Sequence, residues 1–258
     1  MQWDHQIKTI LETLKPVIIT PVIIQQLIPL IDLTSLNDTD TETSVATFLQ
    51  KAYTPQGNVA AVCIYPAFVR MAANEFVQTP IKVATVANFP KGTTALDEVL
   101  IEINDAIADG VQEIDVVFPY QRLLTGDTAY AQRFIADCKT ACGEAVLLKV
   151  ILETSQLQTP ERIAEASNIA LTAGADFIKT STGKVGEGAS LTAAVVMLSV
   201  IKALTPQLKR VLGFKVSGGV REWQQAAEYV ALAEQVMGAN WVSKATFRIG
   251  ASKLIDNI

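Results

Sequence analysis

The stretch AVLLKVILETSQLQTPERIAEASNIALTAGADFIKT spans residues 145–180 and decides the fold. Its two ends, AVLLKVILE and DFIKT, are short apolar runs with little alternation, which is typical of parallel strands covered by helices. Between them Thr159 can cap a helix, Pro160 suits the first helical position, and Gly174 can terminate the helix. The stretch therefore predicts a strand, a helix and a second parallel strand joined by a right-handed crossover.

The same alternation recurs along the whole chain. Further helices are predicted over Thr93–Gly110, Leu191–Leu204 and Glu222–Gly238. With the two runs above, eight β-rich segments are predicted as strands: Ile28–Asp32, Val59–Tyr65, Lys82–Phe89, Glu113–Phe118, Ala145–Glu153, Asp176–Thr180, Arg210–Val216 and Asn240–Ser243. Eight such units in 258 residues predict one α/β domain over residues 1–258, a (β/α)8 or TIM barrel. A doubly wound sheet is the alternative.

The first 27 residues are predicted to be an additional helical segment that covers one end of the domain. The apolar region from Pro16 to Leu33 raises the question of a membrane span, but Pro21 and Pro29 interrupt it, and no basic region or cleavage site of a signal peptide precedes it. A buried entry segment, with no membrane partner, is therefore the expectation.

Composition restricts the chemistry. The net charge of -5 and the lack of any Lys/Arg-rich run argue against a nucleic-acid partner and favour a small anion. Cys63, Cys138 and Cys142 form no C-x-x-C pair and no even disulfide framework, so a reduced, cytoplasmic protein is expected. His5 is the only histidine, which excludes most Ser-His, Cys-His and histidine-ligated metal mechanisms.

Several polar residues fall in or at the ends of the predicted strands, where barrels of this type carry their active sites. They are Asp32, Asn88, Asp115, Lys149, Glu153, Lys179 and Lys215. A lysine attacks a carbonyl only as the neutral amine, and burial beside a second cation lowers its pKa. The pair Lys179 and Lys215 therefore indicates Schiff-base chemistry, whereas a purely structural network of ion pairs is the alternative reading.

Glycine-rich loops follow the last three predicted strands. Residues 182–184 (TGK), 217–221 (SGGVR) and 250–252 (GAS) lie where barrels commonly bind phosphate with backbone amides. Each loop alone is more often a simple turn. Their joint placement predicts a phosphate site.

At these residues the chain closely resembles the deoxyribose-phosphate aldolases, which are class I aldolases. The resemblance covers nearly the whole chain after Leu30 and rests on eight segments: IDLTSLN (31–37), GNVAAVCIYP (57–66), ATVANFP (84–90), EIDVVFPY (113–120), LLKVILET (147–154), FIKTSTGK (177–184), GFKVSGGVR (213–221) and FRIGAS (247–252). It implies metal-independent retro-aldol cleavage of 2-deoxyribose 5-phosphate to glyceraldehyde 3-phosphate and acetaldehyde, with no cofactor. The implied partners are these small molecules, and a homodimer stays open.

The resemblance also implies a role for each matching residue. Lys179 would form the Schiff base, Lys215 would lower its pKa, and Asp115 would orient Lys215 and move protons through water. The sugar hydroxyls would lie near Asp32 and Thr182. The phosphate would be held by Gly183, Lys184, Gly218, Gly219, Val220, Arg221, Gly250 and Ser252.

The chain departs from the family pattern in three places. Lys253 replaces a second serine found in many relatives, and Val216-Ser217 replaces a Pro-Ala pair found in some. A longer tail ending in tyrosine, present in some relatives, does not follow Ile258, which implies slower turnover if that tail assists proton transfer. Two other functions remain as alternatives, a phosphosugar isomerase or another lyase on the same barrel and a non-enzymatic phosphosugar sensor.

Overall fold

Eight parallel strands close into a barrel in the computed structural model, which describes residues 2–257. The strands are β1 (Ile31–Ser35), β2 (Ala61–Ile64), β3 (Lys82–Ala87), β4 (Glu113–Val117), β5 (Leu147–Ile151), β6 (Phe177–Lys179), β7 (Gly213–Ser217) and β8 (Phe247–Ala251). Each strand pairs with the next in sequence, and β8 pairs with β1. The predicted (β/α)8 barrel is confirmed, and the doubly wound sheet is excluded because the sheet has no free edge.

Helices surround the barrel and connect its strands. Their bounds are α1 Gln2–Glu12, α2 Pro21–Leu27, α3 Glu42–Gln50, α4 Val69–Phe76, α5 Leu96–Ala108, α6 Tyr120–Leu124, α7 Thr128–Cys142, α8 Thr154–Leu157, α9 Pro160–Thr172, α10 Leu191–Leu208 and α11 Trp223–Met237. Short 3-10 turns occupy Ile28–Leu30, Pro66–Phe68 and Leu254–Asn257, and a small hairpin pairs Tyr53–Thr54 with Gly57–Asn58.

The helix signals of the opening stretch hold at both ends of α9. The Thr159 side chain accepts a hydrogen bond from the backbone N–H of Arg162, and Pro160 is the first helical residue. Gly174 adopts φ +113, a backbone conformation that favours glycine. The remaining predicted helices match α5, α10 and α11, and α10 extends to Leu208 with Pro206 inside it.

Two predicted strands are displaced. The first was expected at Ile28–Asp32, but Pro29 lies in a 3-10 turn and β1 begins at Ile31. The eighth was expected at Asn240–Ser243 and this is wrong: Asn240 adopts φ +69 in a loop, and β8 follows at Phe247–Ala251. The apolar pair within residues 240–243 resembles a strand, whereas the true strand contains a buried arginine.

The first 27 residues are helical over α1 and α2, and Met1 of this predicted segment lies outside the described residues. The side chain of Gln6 donates to the Ser199 hydroxyl of α10, and that of Gln235, in α11, donates to the Ile10 carbonyl. The segment therefore lies along the outer helices α10 and α11. The expectation of a buried entry segment is wrong before Leu27, because Ile18 is 82% and Val22 61% exposed. Among the described helices, α10 is long and apolar enough to cross a membrane, yet it packs in the helix ring with buried Val195, Met197 and Leu198.

Candidate active site

Seven charged side chains project into the barrel and are buried there. Alternate residues of a strand face the same side, so side chains near the middle of neighbouring strands meet in the interior. The seven are Asp32 of β1, Glu113 and Asp115 of β4, Lys149 of β5, Lys179 of β6, Lys215 of β7 and Arg248 of β8. Charges removed from water in this way are costly unless each finds a partner. The contacts within the cluster decide which of them is reactive.

Asp115 is the centre of the cluster because it contacts three lysines. Its Oδ1 lies 2.8 Å from Nζ of Lys149. Its Oδ2 lies 2.8 Å from Nζ of Lys179 and also 2.8 Å from Nζ of Lys215. Lys179 and Lys215 are direct neighbours in register on β6 and β7. Burial alone raises the pKa of Asp115, but the three lysines outweigh this effect and hold it well below its usual range, so Asp115 is a carboxylate.

The two neighbouring lysines have opposite pKa shifts. Burial lowers the pKa of Lys179, and the charge of Lys215 lowers it further, against the attraction of Asp115. Burial also disfavours the charged form of Lys215, but Asp115 and Asp32 together raise the pKa of Lys215 above its usual value. A second carboxylate makes the difference: Asp32 Oδ2 lies 2.6 Å from Lys215 Nζ. Lys179 is therefore the lysine best able to lose its proton.

A second group of contacts lies beside the lysines and involves Arg248. Its guanidinium contacts Asp32 Oδ1 at 2.7 Å and Glu113 Oε1 at 2.8 Å, and Glu113 Oε2 lies 2.8 Å from Nζ of Lys149. The whole cluster holds three carboxylates and four basic groups. Since a buried cluster is most stable near neutrality, one basic group is in excess. The pKa shifts identify that group as Lys179, because the pKa values of Lys149, Lys215 and Arg248 are all raised.

The three glycine-rich loops meet in one cavity of 270 Å³. It is lined by nine of the ten predicted substrate-binding residues: Thr182, Gly183, Lys184, Gly218, Gly219, Val220, Arg221, Gly250 and Ser252. Gly218 and Gly219 adopt φ +92 and +88, which exposes backbone groups in a way that larger residues resist. Lys184 and Arg221 supply positive charge. This combination of glycine backbone and two cations suits a phosphate group.

The cavity adjoins the lysine pair. A Cβ added at Gly250 would lie 3.3 Å from Cε of Lys215, so the buried lysine lies close behind this part of the cavity wall. The loops are tied together by Thr180, whose hydroxyl donates to the Ser217 carbonyl and accepts from the Ser217 N–H. The Ala189 N–H also donates to the Gly218 carbonyl at 2.8 Å. The arrangement can therefore hold an anion at one end of a ligand and present an amine to the other.

Some residues lie elsewhere than the sequence suggested. Asp32 does not line the cavity: it is fully buried between Lys215 and Arg248. Its expected contact with a sugar hydroxyl stays a prediction. Asn88 has a structural place, because its side chain donates to the Val117 carbonyl and accepts from the Thr94 N–H.

Other residues were missed from the sequence. Thr34 and Asn37 line the cavity. They were missed because the first strand was predicted to end at Asp32, whereas β1 continues to Ser35. Glu113 and Arg248 complete the buried cluster; an acidic residue two positions before Asp115 was the available signal for Glu113. Lys253 is exposed and is not among the cavity residues.

Comparison with known proteins agrees with this geometry. Residues 26–252 match the model of the DeoC/LacD family of aldolases. One similar structure is from Coccidioides immitis and is named as a deoxyribose-phosphate aldolase. It is 29% identical, with 99% of this chain and 96% of that chain covered and a TM-score of 0.77. An apo structure from Toxoplasma gondii ME49, named in the same way, is 25% identical, with 91% and 93% covered and a TM-score of 0.82.

A third structure, deoxyribose phosphate aldolase from Aeropyrum pernix, shares the fold at 24% identity, with 98% of this chain and 96% of that chain covered and a TM-score of 0.71. The family match extends over far more than half of the sequence and includes all strands of the barrel. The chain belongs to the DeoC/LacD aldolase family.

Proposed function

We propose that the protein is a class I 2-deoxyribose 5-phosphate aldolase. Its reaction is the reversible cleavage of that sugar phosphate to glyceraldehyde 3-phosphate and acetaldehyde, without a metal ion. The observation that carries the proposal is the sharing of one oxygen, Oδ2 of Asp115, by Lys179 and Lys215 beside a phosphate-type cavity. The relatives named above support the choice of substrate.

The chemistry begins at the amine of Lys179. Neutral Nζ attacks the substrate aldehyde at C1 to give a carbinolamine, and loss of water yields an imine between Nζ and C1. The protonated imine draws electrons from the neighbouring carbon. When the C3 hydroxyl loses its proton, the bond between C2 and C3 breaks and its electron pair passes into the imine as an enamine. Glyceraldehyde 3-phosphate leaves, and protonation and hydrolysis of the enamine release acetaldehyde.

In the proposed reaction Asp115 helps to remove the C3 proton through water. In the free site its two oxygens accept from three lysines, which makes it a weak base. The protonated imine keeps one N–H and a positive charge beside Oδ2, so Asp115 stays a carboxylate throughout the reaction. Its part is to pass the C3 proton on through water, while Lys215 keeps it in position.

The test is covalent trapping. Borohydride added with 2-deoxyribose 5-phosphate, or with acetaldehyde, should reduce the imine and leave a stable adduct on Lys179, located by peptide mass spectrometry. Glyceraldehyde 3-phosphate formation should be measured in parallel with and without a chelator. We expect product in both cases.

Two variants make the test specific. Lys179→Met should fold and lose both adduct and turnover, whereas Lys8→Met, at an exposed position on α1, should retain both. An adduct on Lys149 or Lys215 would contradict the assignment of the nucleophile. Turnover without any adduct would favour an isomerase or a different lyase, and binding without turnover would favour a sensor.

A further inference from the structure

Glu153 is an unusual residue that contacts Thr182 of the cavity. It follows β5 and is fully buried, with φ 56 and ψ 62 in the left-handed region that a glutamate rarely adopts. The Leu152 N–H donates to the Lys179 carbonyl, and the Thr154 N–H donates to the Thr180 carbonyl. These bonds hold the strained residue against the end of β6. Such strain persists only where the surrounding structure fixes it, and it is concentrated at functional sites.

The two carboxylate oxygens of Glu153 differ in their contacts. Oε2 accepts from both the N–H and the hydroxyl of Thr182, and the Lys184 N–H donates to that same hydroxyl at 3.1 Å. Oε1 is buried and has no hydrogen-bond partner within residues 2–257. A buried acceptor without a donor is costly, and native structures rarely retain one without a reason. One half of the carboxylate thus orders the cavity loop, and the other half is free.

The surroundings of Glu153 connect it to the reactive groups. Burial raises its pKa, and the hydrogen bonds from Thr182 and the charge of Lys179 oppose this effect. Burial raises the pKa of Tyr120, and the charge of Glu153 raises it further. Glu153 thus interacts with Thr182 of the phosphate-type cavity through hydrogen bonds and with the nucleophile through charge. A substrate bonded to Lys179 at C1, with its phosphate in the cavity, would join these same two groups.

We propose that Glu153 is a substrate-binding residue whose free Oε1 accepts a hydrogen bond from the C4 hydroxyl of the sugar phosphate, while Oε2 fixes Thr182. The inference rests on the function proposed above. The C4 hydroxyl is chosen because C4 adjoins the carbon that carries the phosphate, and Oε2 is bonded to Thr182 of the cavity. Glu153 thereby selects acceptor aldehydes that carry a hydroxyl beside the aldehyde carbon.

The synthetic direction separates this role from a structural one. In that direction the Lys179 enamine of acetaldehyde attacks an acceptor, and the C2 hydroxyl of glyceraldehyde 3-phosphate becomes the C4 hydroxyl of the product. An analogue without that hydroxyl, 3-phosphooxypropanal, has the same aldehyde and phosphate. Acetaldehyde itself carries no hydroxyl, so its borohydride-trapped adduct on Lys179 reports the amine alone.

The experiment compares the wild-type protein with Glu153→Gln. The glutamine oxygen can still accept from Thr182, but an amide NH₂ group replaces Oε1 and cannot accept. We expect kcat/KM for glyceraldehyde 3-phosphate to fall about 10- to 100-fold, the loss typical of a hydrogen bond to a charged group. The value for 3-phosphooxypropanal and the rate of acetaldehyde adduct formation should change less than about threefold. Glu144→Gln, at an exposed position before β5, is the matched control and should behave as wild type.

An equal loss for both acceptors, or no loss for either, would overturn the role of Glu153. If Glu153→Gln does not fold, as judged by circular dichroism, Glu153→Asp serves instead, because its shorter side chain withdraws the acceptor without changing the charge. The aspartate also draws Oε2 away from Thr182, so both acceptors lose activity in this variant, and the loss for glyceraldehyde 3-phosphate should exceed that for 3-phosphooxypropanal by about 10-fold or more. Failure of the wild-type protein to form an acetaldehyde adduct would instead refute the proposed aldolase function, whatever the variants do.

Discussion

Lys179 and Lys215 share a single acceptor atom: the Nζ of each lies 2.8 Å from Oδ2 of Asp115. One carboxylate oxygen cannot fully compensate two adjacent ammonium groups. Lys215 has Asp32 as a second carboxylate partner, and no such contact is found for Lys179 among the described residues. Loss of a proton from Lys179 therefore removes the repulsion at the smallest cost.

Replacing Lys215 should raise the pKa of Lys179. In the native site the pKa of Lys179 lies below its ordinary value of 10.5, so the rate of adduct formation should rise with pH and level off below 10.5. Lys215→Met removes the repulsion and leaves Asp115 more attractive to Lys179. We expect the midpoint to move upward and the reaction at pH 7 to become roughly tenfold slower. Borohydride trapping of acetaldehyde across pH 6–11 measures this, and an unchanged midpoint would contradict it.

Removing the central carboxylate should weaken the fold. Asp115→Asn leaves Lys149 and Lys215 buried without one of their carboxylates. Breaking a buried ion pair typically costs about 3–5 kcal/mol, and urea unfolding should show a loss of this size in the free energy of unfolding. Asp137→Asn, at an exposed position on α7, should change it by less than about 0.5 kcal/mol. Equal stability of the two variants would show that the cluster adds nothing to the fold.

Acid should destabilise the protein through the same carboxylates. The pKa values of Asp32 and Asp115 are both held below the ordinary 3.8 by the neighbouring cations. The unfolded chain therefore takes up these protons first as the pH falls. The stabilisation is complete well above pH 3.8 and is lost progressively below it. Thermal unfolding between pH 7 and pH 3 should show a falling midpoint, and the fall should be less steep in Asp32→Asn.

Lys184 should affect phosphate recognition but not imine formation. Its side chain lies at the cavity, and Lys184→Met should raise KM for 2-deoxyribose 5-phosphate about tenfold through the lost charge. The acetaldehyde adduct should form at the wild-type rate. Lys253→Met provides the control, because Lys253 is exposed and does not line the cavity. A larger effect on KM from Lys253→Met than from Lys184→Met would contradict this placement of the phosphate.

Much of the fold could be predicted because the barrel depends on local patterns. The runs 145–153 and 176–180 contain β5 and β6, and the signals at Thr159, Pro160 and Gly174 frame α9. The eighth strand could not be predicted in this way. Arg248 in a strand core looks unfavourable by itself, and only Asp32 and Glu113 on distant strands make it acceptable.

The candidate site was predictable to the same degree. Lys179, Lys215 and Asp115 meet as expected, since their side chains all point into the barrel interior. The different pKa shifts of Lys179 and Lys215 depend on Asp32, which the family resemblance had indicated as a contact of a sugar hydroxyl instead. The left-handed backbone of Glu153 and its unpaired Oε1 could not be predicted, because no local sequence pattern indicates either of them.

The partners of Asp115 come from three other strands, β5, β6 and β7, so the cluster exists only after the sheet has curved around them. In an open or partly assembled chain Lys179 would be hydrated and would titrate like any other lysine. In the proposed mechanism, Lys179 thus acquires its capacity to react with an aldehyde at neutral pH only when the interior is enclosed. A small carbonyl reagent can therefore report on refolding, since the rate at which adduct forms at Lys179 would follow the rate at which the barrel closes.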